Sequence, residues 1–239
     1  MKNHFAALLL FLAFSFQGVG QEVVMHENVD EDTINYDFGP NRSNFAHFLV
    51  QVGFPVGPSD SAGAELIPFS SVEWTIGSRS KFKVSEFYSV GVDATLMARV
   101  FDLKQDSGKV FPNPVLHDDE RWSTWGVDLG FFNRFNIGKR GNVLGRYIDL
   151  GAFAGWNFSN RHKAFNNSLD SNNTNNAGRE KVVYTKLKYI NNLNYGVTAR
   201  IGVENVALYA RYRFSDYFQK EFNYPEFTRL TVGLDFAFY

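Results

Sequence analysis

In the run Val206-Ala207-Leu208-Tyr209-Ala210-Arg211-Tyr212-Arg213-Phe214, one parity carries Val, Leu, Ala, Tyr and Phe, and the other carries Ala, Tyr, Arg and Arg. Successive side chains of a strand point to opposite faces, so this segment has one apolar wall and one charged wall. The alternation returns along most of the chain and predicts eight strands, over residues 45–54, 68–79, 84–101, 122–138, 145–159, 183–203, 206–218 and 227–239. Period-two segments separated by turn residues read as a single all-β domain.

The connections between these strands fall into two alternating classes. Residues 80–83, 138–144 and 204–205 are short, whereas 55–67, 102–121, 160–182 and 219–226 are longer and polar. An even number of antiparallel strands, with short periplasmic turns at one end and longer external loops at the other, is the order of a bacterial outer-membrane barrel. The expected fold is therefore an eight-stranded antiparallel up-and-down transmembrane β-barrel.

Parity then assigns the walls. The apolar set, including Phe48, Val50, Trp74, Ile76, Val92, Leu129, Leu150, Ile201, Leu208, Val232 and Leu234, is expected to face lipid. The opposite set holds Glu73, Asp93, Arg99, Asp128, Arg134, Asp149, Arg200, Arg211, Arg213 and Asp235, interleaved with Gly91, Gly130, Gly155 and Gly233. Eight strands leave an interior just wide enough for side chains to fill, so these residues are expected to plug the lumen as an ion-pair network. Trp74, Tyr88, Trp125, Trp156, Tyr195 and Tyr212 fall near strand ends, where interfacial aromatic girdles belong. The competing arrangement, a soluble exported lipocalin-like binding barrel, would turn the charges outward. A narrow pore for small solutes is the other alternative.

Residues 1–20 read as a secretory signal peptide: Lys2 precedes an apolar run from Phe5 to Phe16, and Gly18-Val19-Gly20 supplies small residues before Gln21. The run is shorter than the roughly 20 apolar residues of a transmembrane helix. Residues 21–44 are polar and acidic and read as a mobile periplasmic leader, which leaves 45–239 for the barrel. The chain has no cysteine, which excludes thiol catalysis, thiolate zinc sites and disulfide scaffolds. A net charge of −1 gives no electrostatic reason to expect nucleic acid.

The last strand, Leu230-Thr231-Val232-Gly233-Leu234-Asp235-Phe236-Ala237-Phe238-Tyr239, is apolar on one parity and ends on an aromatic residue. With the alternation and the loop order, it makes residues 45–239 resemble the small eight-stranded outer-membrane β-barrel proteins of Gram-negative envelopes. That resemblance implies an outer-membrane location, contact with outer-membrane lipid and insertion by the barrel-assembly machinery. The machinery reads a terminal aromatic in this family. Tyr239 is aromatic, while the apolar parity runs one residue offset, through Leu234, Phe236 and Phe238.

The chemistry-bearing groups are few. His117-Asp118-Asp119-Glu120 is the densest cluster, and without a spaced second ligand pair it reads as a solvated acidic loop. Asn166 to Asn176 is low in complexity and reads as a disordered loop tip. The five histidines are not arranged with a serine nucleophile, so the expectation is no catalytic residues, no metal and no cofactor. Arg161, Lys163, Arg179 and Lys181 flank the asparagine-rich tip as a basic patch suited to lipopolysaccharide phosphates. The expected function is that of a non-enzymatic integral outer-membrane protein, with a structural or surface-interaction role.

Overall fold

The computed structural model describes residues 39–57, 63–138, 143–169 and 177–239, and at 167–169 and 177–179 the backbone alone. Signal-peptide residues 1–20 and leader residues 21–38 lie outside the described residues. The strands are β1 (Asn44–Val56), β2 (Val72–Lys83), β3 (Tyr88–Asp102), β4 (Asp119–Ile137), β5 (Arg146–Leu169), β6 (Ala177–Thr185), β7 (Leu193–Val203), β8 (Val206–Arg213) and β9 (Leu230–Phe238). The protein is all-β, and among the described residues the only helical elements are two three-residue 3-10 turns. Eight strands form a closed antiparallel ring in the order β1-β2-β3-β4-β5-β7-β8-β9, with β9 pairing back onto β1. Apart from β5 with β7 and the closing pair β9 with β1, every neighbour in the ring is also a neighbour in sequence, the usual arrangement of an antiparallel meander.

One predicted strand, 183–203, is in fact two. A bulge on β5 is the physical reason: Trp125 faces Ser159 but Gly126 faces Asn157, leaving Phe158 as the extra residue. Before the bulge β5 pairs with β7, and beyond it β5 continues to Leu169 and pairs with β6 instead. Lys186, at φ 58°, turns the chain out of β6 and back toward the ring. The predicted loop 160–182 is thus largely a hairpin. Of its expected disordered tip, 166–169 belongs to β5 and 170–176 lies outside the described residues.

The short connections, 84–87, 138–145 and 204–205, share one end of the ring with the start of β1 and the finish of β9. The end of the predicted leader is attached here, since Gly39–Asn41 forms a 3-10 turn and the buried Lys81 Nζ donates to the Pro40 carbonyl. The long connections gather at the other end.

Burial follows parity. On β8, Ala207, Tyr209, Arg211 and Arg213 are buried, while Val206, Leu208 and Tyr212 are exposed. Around the ring, Phe48, Trp74, Ile76, Val92, Leu129, Leu150, Ile201 and Leu234 are exposed on the outer wall. Inside, glycine makes room for large neighbours. A Cβ at Gly91 would sit within the Phe132 ring, and one at Gly202 within the Tyr147 ring.

The loop end holds a second core that corrects the reading of its connections as simply polar. Ala64, Phe101, Leu103, Phe111, Trp122, Ile190, Tyr217, Phe218 and Phe227 form one buried cluster, flanked by Leu66, Leu187, Tyr189 and Tyr224. Isolated bridges between Leu66 and Leu103, and between Ile190 and Phe218, tie the loops to one another. Phe101 and Trp122 stand near the loop ends of β3 and β4, and the others are scattered through the connections without periodicity, so alternation gives no sign of the cluster. Phe111 sits among Trp122, Phe218 and Tyr224, with ring centroids 4.9, 4.5 and 4.7 Å away. Aromatic pairs at such distances contribute about 0.5–1.5 kcal/mol each beyond the area they bury.

Candidate functional site: a charge-filled interior beneath an aromatic cap

The strand ring brings the ten interior candidates together in a column. Nearest the turn end, Arg134 donates to both carboxylate oxygens of Asp149, at 2.7 and 2.8 Å, with its guanidinium 3.7 Å from the Tyr147 ring centre. In the middle, Asp93 accepts from Arg79 at 2.8 Å and from Arg200 at 2.5 Å. Asp235 accepts from Arg79 at 2.9 Å and from Gln51 at 2.8 Å. Closer to the loops, Glu73 pairs with Arg99 at 2.5 Å and with Arg211 at 3.6 Å, and Arg211 also donates to Asp128. Arg213 lies at the top and pairs with Glu226 at 3.1 Å.

Two kinds of pair are present. Glu73 with Arg99, Arg79 with Asp93 and Arg134 with Asp149 are direct cross-strand partners, set by register. Arg200 with Asp93 and Arg211 with Asp128 reach across the interior, between β7 and β3 and between β8 and β4. The second kind fastens opposite walls to each other. Each carboxylate has at least one guanidinium, which is what charges removed from water require.

Sequence reasoning left three contributors out. Arg79 and Lys81 stand at the interior parity, but their outward neighbours Ser78 and Ser80 give no apolar contrast to mark the strand. Glu226 comes from a loop, and only the folded chain delivers it to Arg213. Its other oxygen accepts the backbone N–H groups of Tyr217 and Phe218 at 2.7 and 2.9 Å, so one carboxylate ties the cap to the ring.

The packing leaves little open space. A cavity of ≈ 20 Å³ remains among Gln51, Asp93, Asp128, Arg200, Tyr209 and Arg211. That is room for about one water molecule.

His117-Asp118-Asp119-Glu120 is not a solvated acidic loop throughout. Asp119 and Glu120 open β4, and Glu120 is buried beneath the cap, because β4 directs it to the interior side. Its carboxylate accepts from Gln105 at 2.9 Å, pairs with Lys109 and lies 2.7 Å from His162 Nε2. Burial alone would raise the Glu120 pKa, but the hydrogen bonds from His162, Lys109 and Gln105 outweigh it and hold the carboxyl below its ordinary value. His162 is stacked between Trp122 and Tyr184, at 3.9 and 5.2 Å. His117 turns away and its Nδ1 lies 2.9 Å from Asn166 Oδ1. Among the described residues, no group of three or more His, Asp or Glu side chains is placed to hold a metal ion.

The four basic candidates lie on the β5–β6 hairpin. Arg161 and Lys181 are exposed and Lys163 is half-buried, whereas Arg179 is placed only by its register opposite Asn167. No family model matches the chain, and no curated protein matches it.

Proposed function

We propose that the ring is a transmembrane β-barrel of a bacterial outer membrane, closed in the middle by its own side chains and non-enzymatic. One observation carries this reading: the partition of side chains is inverted relative to a protein dissolved in water. Large apolar residues such as Leu129 and Ile201, 69% and 62% exposed, cover the outer wall, while paired arginines and carboxylates fill the inside. The apolar outer wall continues around all eight strands, whereas a soluble monomer rarely exposes more than about 300–600 Å² of contiguous apolar surface. A hydrocarbon surround removes that penalty and forces the strands to close their edges, as the ring does.

The filled interior argues for a scaffold rather than a conduit. A soluble binding barrel of the lipocalin kind keeps a roomy cavity for its ligand, and here the cavity among Gln51, Asp93, Asp128, Arg200 and Arg211 has room for about one water. The same packing opposes a pore for small solutes. The aromatic cap then serves as the structured outer surface, with a structural or surface-interaction role. Residues 1–20 would supply export, and the barrel-assembly machinery would supply insertion.

The test combines membrane fractionation with gel mobility before and after boiling. The proposal expects the full chain in the outer-membrane fraction, with a compact form that migrates faster until heated. Recovery from the aqueous periplasmic extract, with unchanged mobility, would refute it.

A further inference from the structure

The hairpin of β5 and β6 sorts its charges by face. Register places Ser123, Arg161 and Thr185 in one row, Arg121, Lys163 and Val183 in the next, and Asp119, Phe165 and Lys181 in a third. Residues paired directly across neighbouring strands share a face. Arg161, Lys163 and Lys181 therefore stand together on the face that continues upward from Trp125 on the outer wall, and Glu180 stands on the opposite face.

The interior arginines of this protein are matched by carboxylates, and this patch is not. Arg121 is engaged by Asp102 at 2.5 and 3.0 Å, and Asp119, the acid on this face, lies 3.9 Å from Arg121. Among the described residues, no carboxylate lies within ion-pair distance of Arg161, Lys163 or Lys181. Lys181 instead extends over the Phe165 ring, with Nζ 5.8 Å from its centre.

Height above the apolar wall supports a specific occupant. A strand rises about 3.3 Å per residue and tilts about 40° in a ring of this kind, so each row adds about 5 Å beyond Trp125. Trp125, Trp156 and Phe158, all exposed, mark the aromatic belt at that level. The headgroup layer occupies about 5–8 Å beyond the hydrocarbon on each side. Arg161, one row up, stands at its depth, and the flexible stems of Lys163 and Lys181, two and three rows up, reach down toward it.

We propose that Arg161, Lys163 and Lys181 bind the phosphate groups of lipid headgroups in the leaflet surrounding the loop end. This rests on the membrane-spanning reading and adds a lipid class to it. Guanidinium and ammonium groups make charge-assisted hydrogen bonds with phosphate, and three on one rigid sheet face spare the lipid the task of gathering them.

The experiment uses the full chain reconstituted into phosphatidylcholine vesicles and into the same vesicles containing lipid A, followed by heat-modifiable mobility. The expected result is insertion in both, with an unfolding midpoint about 5–10 °C higher when lipid A is present. That rise shrinks at high salt and falls by at least half in R161Q/K163Q/K181Q. R146Q, which removes an exposed base at the turn end, keeps the full rise. Insertion with equal midpoints in the two vesicle types overturns the lipid site and leaves the barrel reading standing. A full rise in the triple variant, or an equal rise on adding free inorganic phosphate to the neutral vesicles, also overturns it. Failure to insert in either vesicle overturns both.

Discussion

The ring interior and the aromatic cap are two cores built on opposite rules in one chain. The interior is made of guanidinium–carboxylate pairs, with glycines that admit rings such as Phe132, and it is wrapped in exposed apolar side chains. The cap buries Phe111, Trp122, Phe218 and Phe227 and surrounds them with polar loops, including the exposed Lys104 and its partners Glu65 and Asp106. A core is shaped by what lies outside it. The cap turns polar side chains outward and the ring turns apolar ones outward, and their junction lies near Glu226, which bonds to both.

Substitutions can test whether the two cores are separable. The largest expected effect is on the ring: Asp93→Ala leaves Arg200 without its 2.5 Å partner and removes one of two partners from Arg79, at a cost of about 3–5 kcal/mol. Thermal loss of the compact gel form should occur at a clearly lower temperature. Phe111→Ala removes the centre of the cap and costs about 3–5 kcal/mol there. Limited proteolysis should cut its loops sooner, while the compact ring form persists to the parent's temperature. If both transitions shift together, the cores are one cooperative unit and the comparison fails.

Leu208→Arg probes the surround rather than either core. An arginine on a lipid-facing strand near mid-membrane costs about 2–4 kcal/mol, whereas on a water-facing wall it is nearly neutral. Urea unfolding in lipid vesicles distinguishes the two.

The smallest expected effect is a pH dependence confined to the cap. The folded pKa of Glu120 lies below its ordinary 4.5, so its contribution is complete above that value and is lost as pH falls through the folded one. Tyr189 behaves oppositely, since burial raises its hydroxyl, and the folded cap loses stability as pH climbs beyond the ordinary 10. Near-ultraviolet circular dichroism should show the cap's aromatic signal fading at both extremes while the far-ultraviolet strand signal holds.

How much of this was legible follows from where periodicity exists. The ring strands carry an apolar and a polar parity, so residues such as Leu208 and Arg211 declare their faces from sequence. Their pairing partners do not follow from parity alone, because Arg211 reaches Asp128 across the interior and Arg213 takes Glu226 from a loop. The bulge at Phe158 reverses the parity of β5 beyond it, which buries His162 and exposes Arg161 against the count from the lower half. The cap was invisible for a plainer reason: Ala64, Phe111, Ile190 and Phe227 come from separate connections with no repeating pattern.

What touches the outer wall decides between a membrane-spanning ring and one surrounded by water. Because the chain has no cysteine, Leu208→Cys and Val115→Cys can each carry one nitroxide label. In reconstituted protein, the label at 208 should be relaxed strongly by oxygen and weakly by a water-soluble nickel chelate, and the label at 115 should show the reverse. Equal and strong relaxation of both labels by the nickel chelate would mean that the outer wall faces water.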